Sequence, residues 1–233
     1  NTHASLMRRF AWDIPAMVEI NGKSLTNEKV KEITLDGTME VSSRFDNGIE
    51  LERILFPSTT QAMTCEKYPL PNKGDKPVSI EVPFARSVIE TDASKGVDGS
   101  YRLISTLKGE KAKQLAPGES VTFSAFFAGY KRGENEAILD IDKELDARKA
   151  LIGELWGKLI LETPDPVINT MFAFAKIRGA ESIYQTKGGL MHGPGGESYY
   201  AAIWANDQAE YINPFFPFLG YAIGNESDRK SVV

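Results

Sequence analysis

The chain has 233 residues, 42 % of them apolar, enough for one large domain or two small ones and for a real core. Its formal charge is −5 and its 27 Lys and Arg are dispersed, so no basic footprint for nucleic acid or anionic lipid is expected; a neutral, polar or weakly cationic ligand suits it better. A single cysteine, Cys65, excludes an internal disulfide, and one Cys with two His excludes a zinc site of those ligands, so neither metal nor cofactor is expected.

No apolar run reaches the roughly 18 residues that cross a bilayer, so no membrane span is expected, and Asn1 to Phe10 lacks the basic-then-apolar pattern of an export signal. The start without Met and the stop at Ser231, Val232 and Val233 read as a processed or excised fragment.

From Phe10 to about Tyr130 the sequence reads as short strands separated by turn residues. Met17 to Ile20 ends at Asn21-Gly22, Ile33 to Leu35 at Asp36-Gly37, and Met39 to Phe45 at Asp46-Asn47-Gly48. Further strands are expected at Ile49 to Phe56, Val78 to Val82, Ser87 to Thr91, Tyr101 to Thr106 and Val121 to Ala128, the last after a Pro117-Gly118 turn. Spacing of this kind suggests an antiparallel sandwich. Ser120 to Phe126 alternates apolar with small polar residues and should bury one face.

After Tyr130 the period changes. Ile138, Ile141, Leu145, Ile152, Leu155 and Leu159 recur at mainly three- and four-residue steps, which predicts an amphipathic helix with Asn135 as its N-cap. Asp140, Asp142, Glu144 and Asp146 read as its solvated face. Thr163-Pro164-Asp165-Pro166 breaks the chain and supplies a cap and first position for a second helix, whose stripe is Ile168, Met171, Phe172 and Ala175 and whose end is near Tyr184. Lys187 to Gly196 contains five glycines and a proline and reads as irregular. A third helix is expected from Asn206 or Asp207, shortened or kinked by Pro214 and Pro217 before Phe218 to Ile223 and a stop at Gly224-Asn225.

The glycine-rich stretch and its sequel suit a sugar. Glycines admit close approach of backbone to ligand, Tyr199, Tyr200 and Trp204 offer flat apolar faces, and Glu197, Asp207 and Gln208 offer hydrogen-bonding groups. A sugar ring stacks its axial C–H groups on aromatics and pairs its hydroxyls with carboxylates.

The arrangement resembles glycoside phosphorylases of the cellobiose phosphorylase type and related six-hairpin glycosidases. The residues that carry the resemblance are Arg53 to Ser58, Leu115 to Gly118, Glu162 to Pro166 with Asn169, and above all Tyr184-Gln185, the glycine-rich run, and Trp204-Ala205-Asn206-Asp207-Gln208. In that group a similar Asp-Gln pair holds the sugar on the non-reducing side, which implies substrate contact for Asp207 and Gln208; Asn206 stands where the phosphorylases have arginine.

The implied fold is multidomain, β then α: a supersandwich-like antiparallel β-sandwich (1–133), a linking helix (134–162) and the first helices of an incomplete (α/α) six-hairpin barrel (163–233). The implied activity is cleavage of glycosidic bonds, by hydrolysis ahead of phosphorolysis, in an exported bacterial polysaccharide-degrading protein, periplasmic or secreted. The implied partners are a carbohydrate ligand and either the missing part of the barrel or another copy of the chain, which would cover Ile168, Met171 and Phe172.

Each candidate has a plain alternative. Asp207 serves equally as an N-cap, and Trp204 beside Ala201, Ala202 and Ile203 serves equally as a buried indole. Tyr200 and Glu197 complete the proposed substrate contacts. Glu197 and Glu210 are the nearest carboxyls for a general acid, although the resemblance places that acid in a later part of the barrel. His192, between Met191 and Gly193, reads as a solvated loop histidine. The rival function is a non-catalytic carbohydrate-binding or assembly module.

Overall fold

The computed structural model describes residues 10–46, 48–96, 98–186, 189–193, 206, 210 and 213–220. The chain divides into two compact units, with the division between Arg148 and Lys149, inside the helix expected to link two domains.

The first unit opens with a single 3₁₀ turn at Pro15–Met17 and the hairpin β1 (Glu19–Ile20) and β2 (Lys23–Ser24), closed by Asn21 and Gly22, both at positive φ. There follow β3 (Lys29–Leu35), β4 (Met39–Arg44), β5 (Glu50–Pro57), β6 (Met63–Pro71), β7 (Val78–Glu81), β8 (Ala85–Glu90), β9 (Tyr101–Lys108), β10 (Lys113–Leu115) and β11 (Ser120–Lys131). They form two antiparallel sheets: a large one in the order β3-β4-β5-β6-β11-β9-β8, and a small one in the order β10-β7-β1-β2.

Period 2 explains the burial. On one face of the large sheet Leu51, Tyr68, Leu70, Leu107, Val121, Phe123 and Ala125 join Ile20, Ile80 and Leu115 of the small sheet in a single core, with the Tyr68 and Phe123 rings stacked at 4.7 Å. On the opposite face Phe56, Cys65, Ile104, Phe126, Ala128 and Tyr130 form a second core, covered by Leu139, Ile141 and Leu145. The last two belong to α1 (Ile141–Gly157). Arg148 of this helix donates through Nε at 2.9 Å and Nη2 at 2.6 Å to the Gly37 carbonyl in the β3–β4 turn, and Lys67 of β6 pairs with Asp142 at 2.6 Å.

Several expectations are corrected. Sequence periodicity misses β6, the strand flanked by β5 and β11, because its run Met-Thr-Cys-Glu-Lys-Tyr-Pro-Leu-Pro carries charges and two prolines. Pro69 and Pro71 are tolerated because β5 stops pairing at Lys67, so the missing N–H groups break no ladder on that side. The linking helix starts at Ile141, not after Asn135; Asp140 Oδ1 accepts from Lys143 N at 3.2 Å and does the capping. Ile138 therefore lies before the helix and Leu159 after it, and both are exposed. Glu144 leaves the solvated face: it is half-buried near Cys65, with Oε2 out of solvent and without a hydrogen-bond partner among the described residues.

In the second unit, α2 (Pro166–Glu181) follows, then a hairpin of β12 (Ile183–Thr186) and β13 (Gly189–His192), and a short helix α3 (Phe216–Leu219). The helix α2 stops at Glu181, three residues before Tyr184, where Ser182 turns back to bond Arg178 O at 3.0 Å. Four of the ten residues read as irregular form a strand, since Gly189–His192 finds its partner in the segment just before it. Pro217 sits in the first turn of α3, a position that needs no N–H. Among the described residues its core comprises Ile152, Leu155, Ile177, Phe216 and Leu219.

Candidate functional site

In the helical unit polar side chains satisfy the start of α2 and the end of α1. Thr163, Asp165 and Asn169 form a closed cap. Asp165 Oδ1 accepts from Val167 N at 2.8 Å, and the Asn169 carboxamide pairs with both backbone groups of Thr163, accepting from its N at 2.9 Å and donating to its O at 3.0 Å. These residues are among those that carry the resemblance, and their geometry is a helix start saturated by its own side chains.

Lys176 ties α2 to the end of α1. Its ammonium lies against the carbonyl of Trp156 (3.0 Å), one of those a helix C-terminus leaves without a partner, and against those of Lys158 (2.6 Å) and Leu159 (3.3 Å) just beyond the helix. Burial pulls its pKa below the ordinary lysine value, while the three carbonyl dipoles favour the charged form. Beside it Phe172 packs edge-on to Phe215, and β13 ends at His192, whose ring meets Phe216 edge-on at 5.3 Å. His192 is buried, not a solvated loop residue, because β13 carries it into the core.

The residues expected to contact sugar are Glu197, Tyr200, Trp204, Asp207 and Gln208, with Tyr199 beside them; all lie outside the described residues, as do Gly224 and Asn225. Of the two carboxyls considered for proton donation, Glu197 also lies outside them and Glu210 is exposed. Of the stripe read on α2, Ile168, Met171 and Ala175 are exposed, as is neighbouring Val167, whereas Phe172 is half-buried against Phe215.

A second polar constellation, not anticipated from the sequence, lies on the large sheet. Tyr68 donates to Glu66 Oε2, Arg53 Nη2 to Glu28 Oε1, and Ser43 Oγ to the same Glu28 oxygen at 2.5 Å. Burial raises the Glu66 pKa against the lowering effects of the Tyr68 hydroxyl and the Arg53 charge. Burial, then the Glu66 charge, pushes the Tyr68 hydroxyl well above the ordinary tyrosine range, so it stays a donor. The Tyr68–Glu66 bond lies within β6, while Glu28, just before β3, gathers Ser43 of β4 and Arg53 of β5, whose charge also acts on Glu66; only alternation on a correctly placed β6 could have signalled the first pair. Burial, with a smaller push from the Glu144 charge, drives the Cys65 thiol up to about 12, which leaves it inert as a nucleophile.

No protein-family model matches the chain, and no curated protein matches it. Among the described residues there is no group of three or more His, Cys, Asp or Glu able to hold a metal ion, and no helix long and apolar enough to cross a membrane.

Proposed function

We propose that the chain belongs to a protein that cleaves glycosidic bonds by hydrolysis, its β unit a supersandwich-like domain and its helices the opening of an (α/α) six-hairpin barrel. The observation that supports this most is the order of parts: two antiparallel sheets, a 17-residue helix, then a helix opened by the Thr163–Asp165–Asn169 cap. On this reading a general acid from another part of the barrel protonates the glycosidic oxygen while water attacks the anomeric carbon. Asp207 and Gln208 hold sugar hydroxyls, Trp204 and Tyr200 stack on the ring, and Glu197 adds an acceptor. Further chain or a second copy covers Val167, Ile168 and Met171.

The test is hydrolysis by the full-length gene product across chromogenic and natural oligosaccharides. Cleavage is expected, with kcat/KM lowered about 10- to 100-fold by Asp207→Asn, the loss of one charged hydrogen bond. A product that cleaves none of them overturns the reading.

A further inference from the structure

One end of the β unit carries an open cleft of roughly 410 Å³ between the β4–β5 turn and the β6–β7 loop, the loop that takes the chain from the large sheet to the small one. Its cations are Arg44, Lys73 and Lys76. Among the described residues Arg44 and Lys76 have no ion-pair partner, and both are exposed. Lys73 reaches Glu50 only at 3.4 Å and Glu52 at 3.5 Å. Glu50 is already paired with Lys31 from β3, and the hydrogen bond from Lys31, with Lys73 behind it, holds its carboxyl below the usual range. Asp75 is the other carboxylate of the cleft, so cations are left in excess.

The loop is fixed in place. Buried Asn72 donates to Lys76 O at 2.9 Å and to Leu115 O at 3.0 Å, and accepts from Gly74 N at 3.1 Å, so Lys73 and Lys76 flank a rigid turn. Half-buried Ile49, Pro71 and Val78 supply apolar wall. An inorganic anion gains nothing from carboxylates and apolar wall, and a neutral sugar accepts hydrogen bonds from the cations but leaves their charge uncompensated. A ring bearing a carboxylate, hydroxyls and C–H faces uses all three, and the volume is in the range of small-molecule sites.

We infer that this cleft binds an acidic saccharide, its carboxylate taken by Arg44 and Lys76 and its hydroxyls by Glu50 and Asp75. The saccharide class rests on the glycoside reading above, and it replaces the neutral or weakly cationic ligand suggested by composition, because a net charge of −5 says nothing about a local cleft.

The experiment is an amide-shift titration of this chain with oligogalacturonate, a neutral cello-oligosaccharide and inorganic phosphate. Oligogalacturonate is expected to shift the Gly48 and Gly74 amides. Its affinity should fall about tenfold in Arg44→Gln/Lys76→Gln and weaken as salt rises. Neutral saccharide binding equally well, or phosphate matching and displacing the oligogalacturonate, overturns the assignment, as does no shift at these amides. The double variant of the full-length product, assayed on neutral glycosides, separates the two readings: unchanged cleavage leaves the hydrolase reading standing when the cleft fails. Oligogalacturonate binding without any cleavage leaves the cleft standing when the hydrolase reading fails.

Discussion

In the β unit both faces of the middle strands of the large sheet are covered, one by side chains of a second sheet and the other by the first turns of α1, and buried aromatics fill the space, while edge strand β3 is exposed along its length. Among the described residues of the helical unit the buried cluster is Ile152, Leu155, Ile177, Phe216 and Leu219; Val167, Ile168, Met171 and Phe218 are exposed, and polar ties add to the cluster: the Thr163–Asn169 cap and the Lys176 ammonium on three carbonyls. A sheet packed on both faces is held by apolar area. A pair of helices with little area to bury depends on satisfying its helix ends.

The largest effect should come from breaking the first kind of cohesion. Phe126→Ala removes a fully buried ring from the second core and is expected to lower stability by about 3–5 kcal/mol in urea unfolding. Cys65 serves as the reporter, inert to alkylation in the native state and reactive once the sheet opens. A loss under about 1 kcal/mol would mean that the sheet is not cored by its aromatics.

Lys176→Met keeps the stem but leaves the Trp156, Lys158 and Leu159 carbonyls without the ammonium. A loss of about 2–3 kcal/mol is expected, read as faster hydrogen exchange in α1 and α2 from Lys149 on, with β6 and β11 amides unchanged. Equal loosening of β6 would contradict the division of labour between the units. Asp165→Ala removes one cap bond and should cost about 1 kcal/mol, with Asp165→Asn recovering most of it.

The smallest effect is a pH dependence inside the β unit. Burial raises the Glu66 pKa above its unfolded value, so the folded state binds that proton more tightly. Its contribution is full below the ordinary carboxylate pKa and is lost as pH rises through the raised value. Thermal unfolding of the parent relative to Glu66→Gln should therefore worsen from about pH 4 towards neutrality. Glu50 and Asp92, whose pKa values are lowered, act in the opposite sense, so the comparison with the variant is what isolates Glu66.

Much of the strand framework was legible because β11, β5 and β4 combine alternation with turn residues such as Asp36-Gly37 and Pro117-Gly118. β6 was not, since Glu66 and Tyr68 bury polar atoms that satisfy each other only once the strand is formed, and Pro69 reads as a break until it is known that β5 pairs no further than Lys67. The basic cleft was invisible for a similar reason: Arg44 and Lys76 are 32 positions apart and meet only across a crossover between sheets. Asp165 could be assigned as a cap from sequence because capping is decided within one helical turn.

The sequence by itself determined the change from strands to helices near Tyr130, the turns, and the helix start at Pro166, all of which depend on neighbours a few residues away. Tertiary structure alone decided that His192 and Lys176 are buried, and that three dispersed cations share a cleft. Backbone torsion and local hydrogen bonds are short-range in the chain; burial and charge proximity are set by segments far apart in sequence.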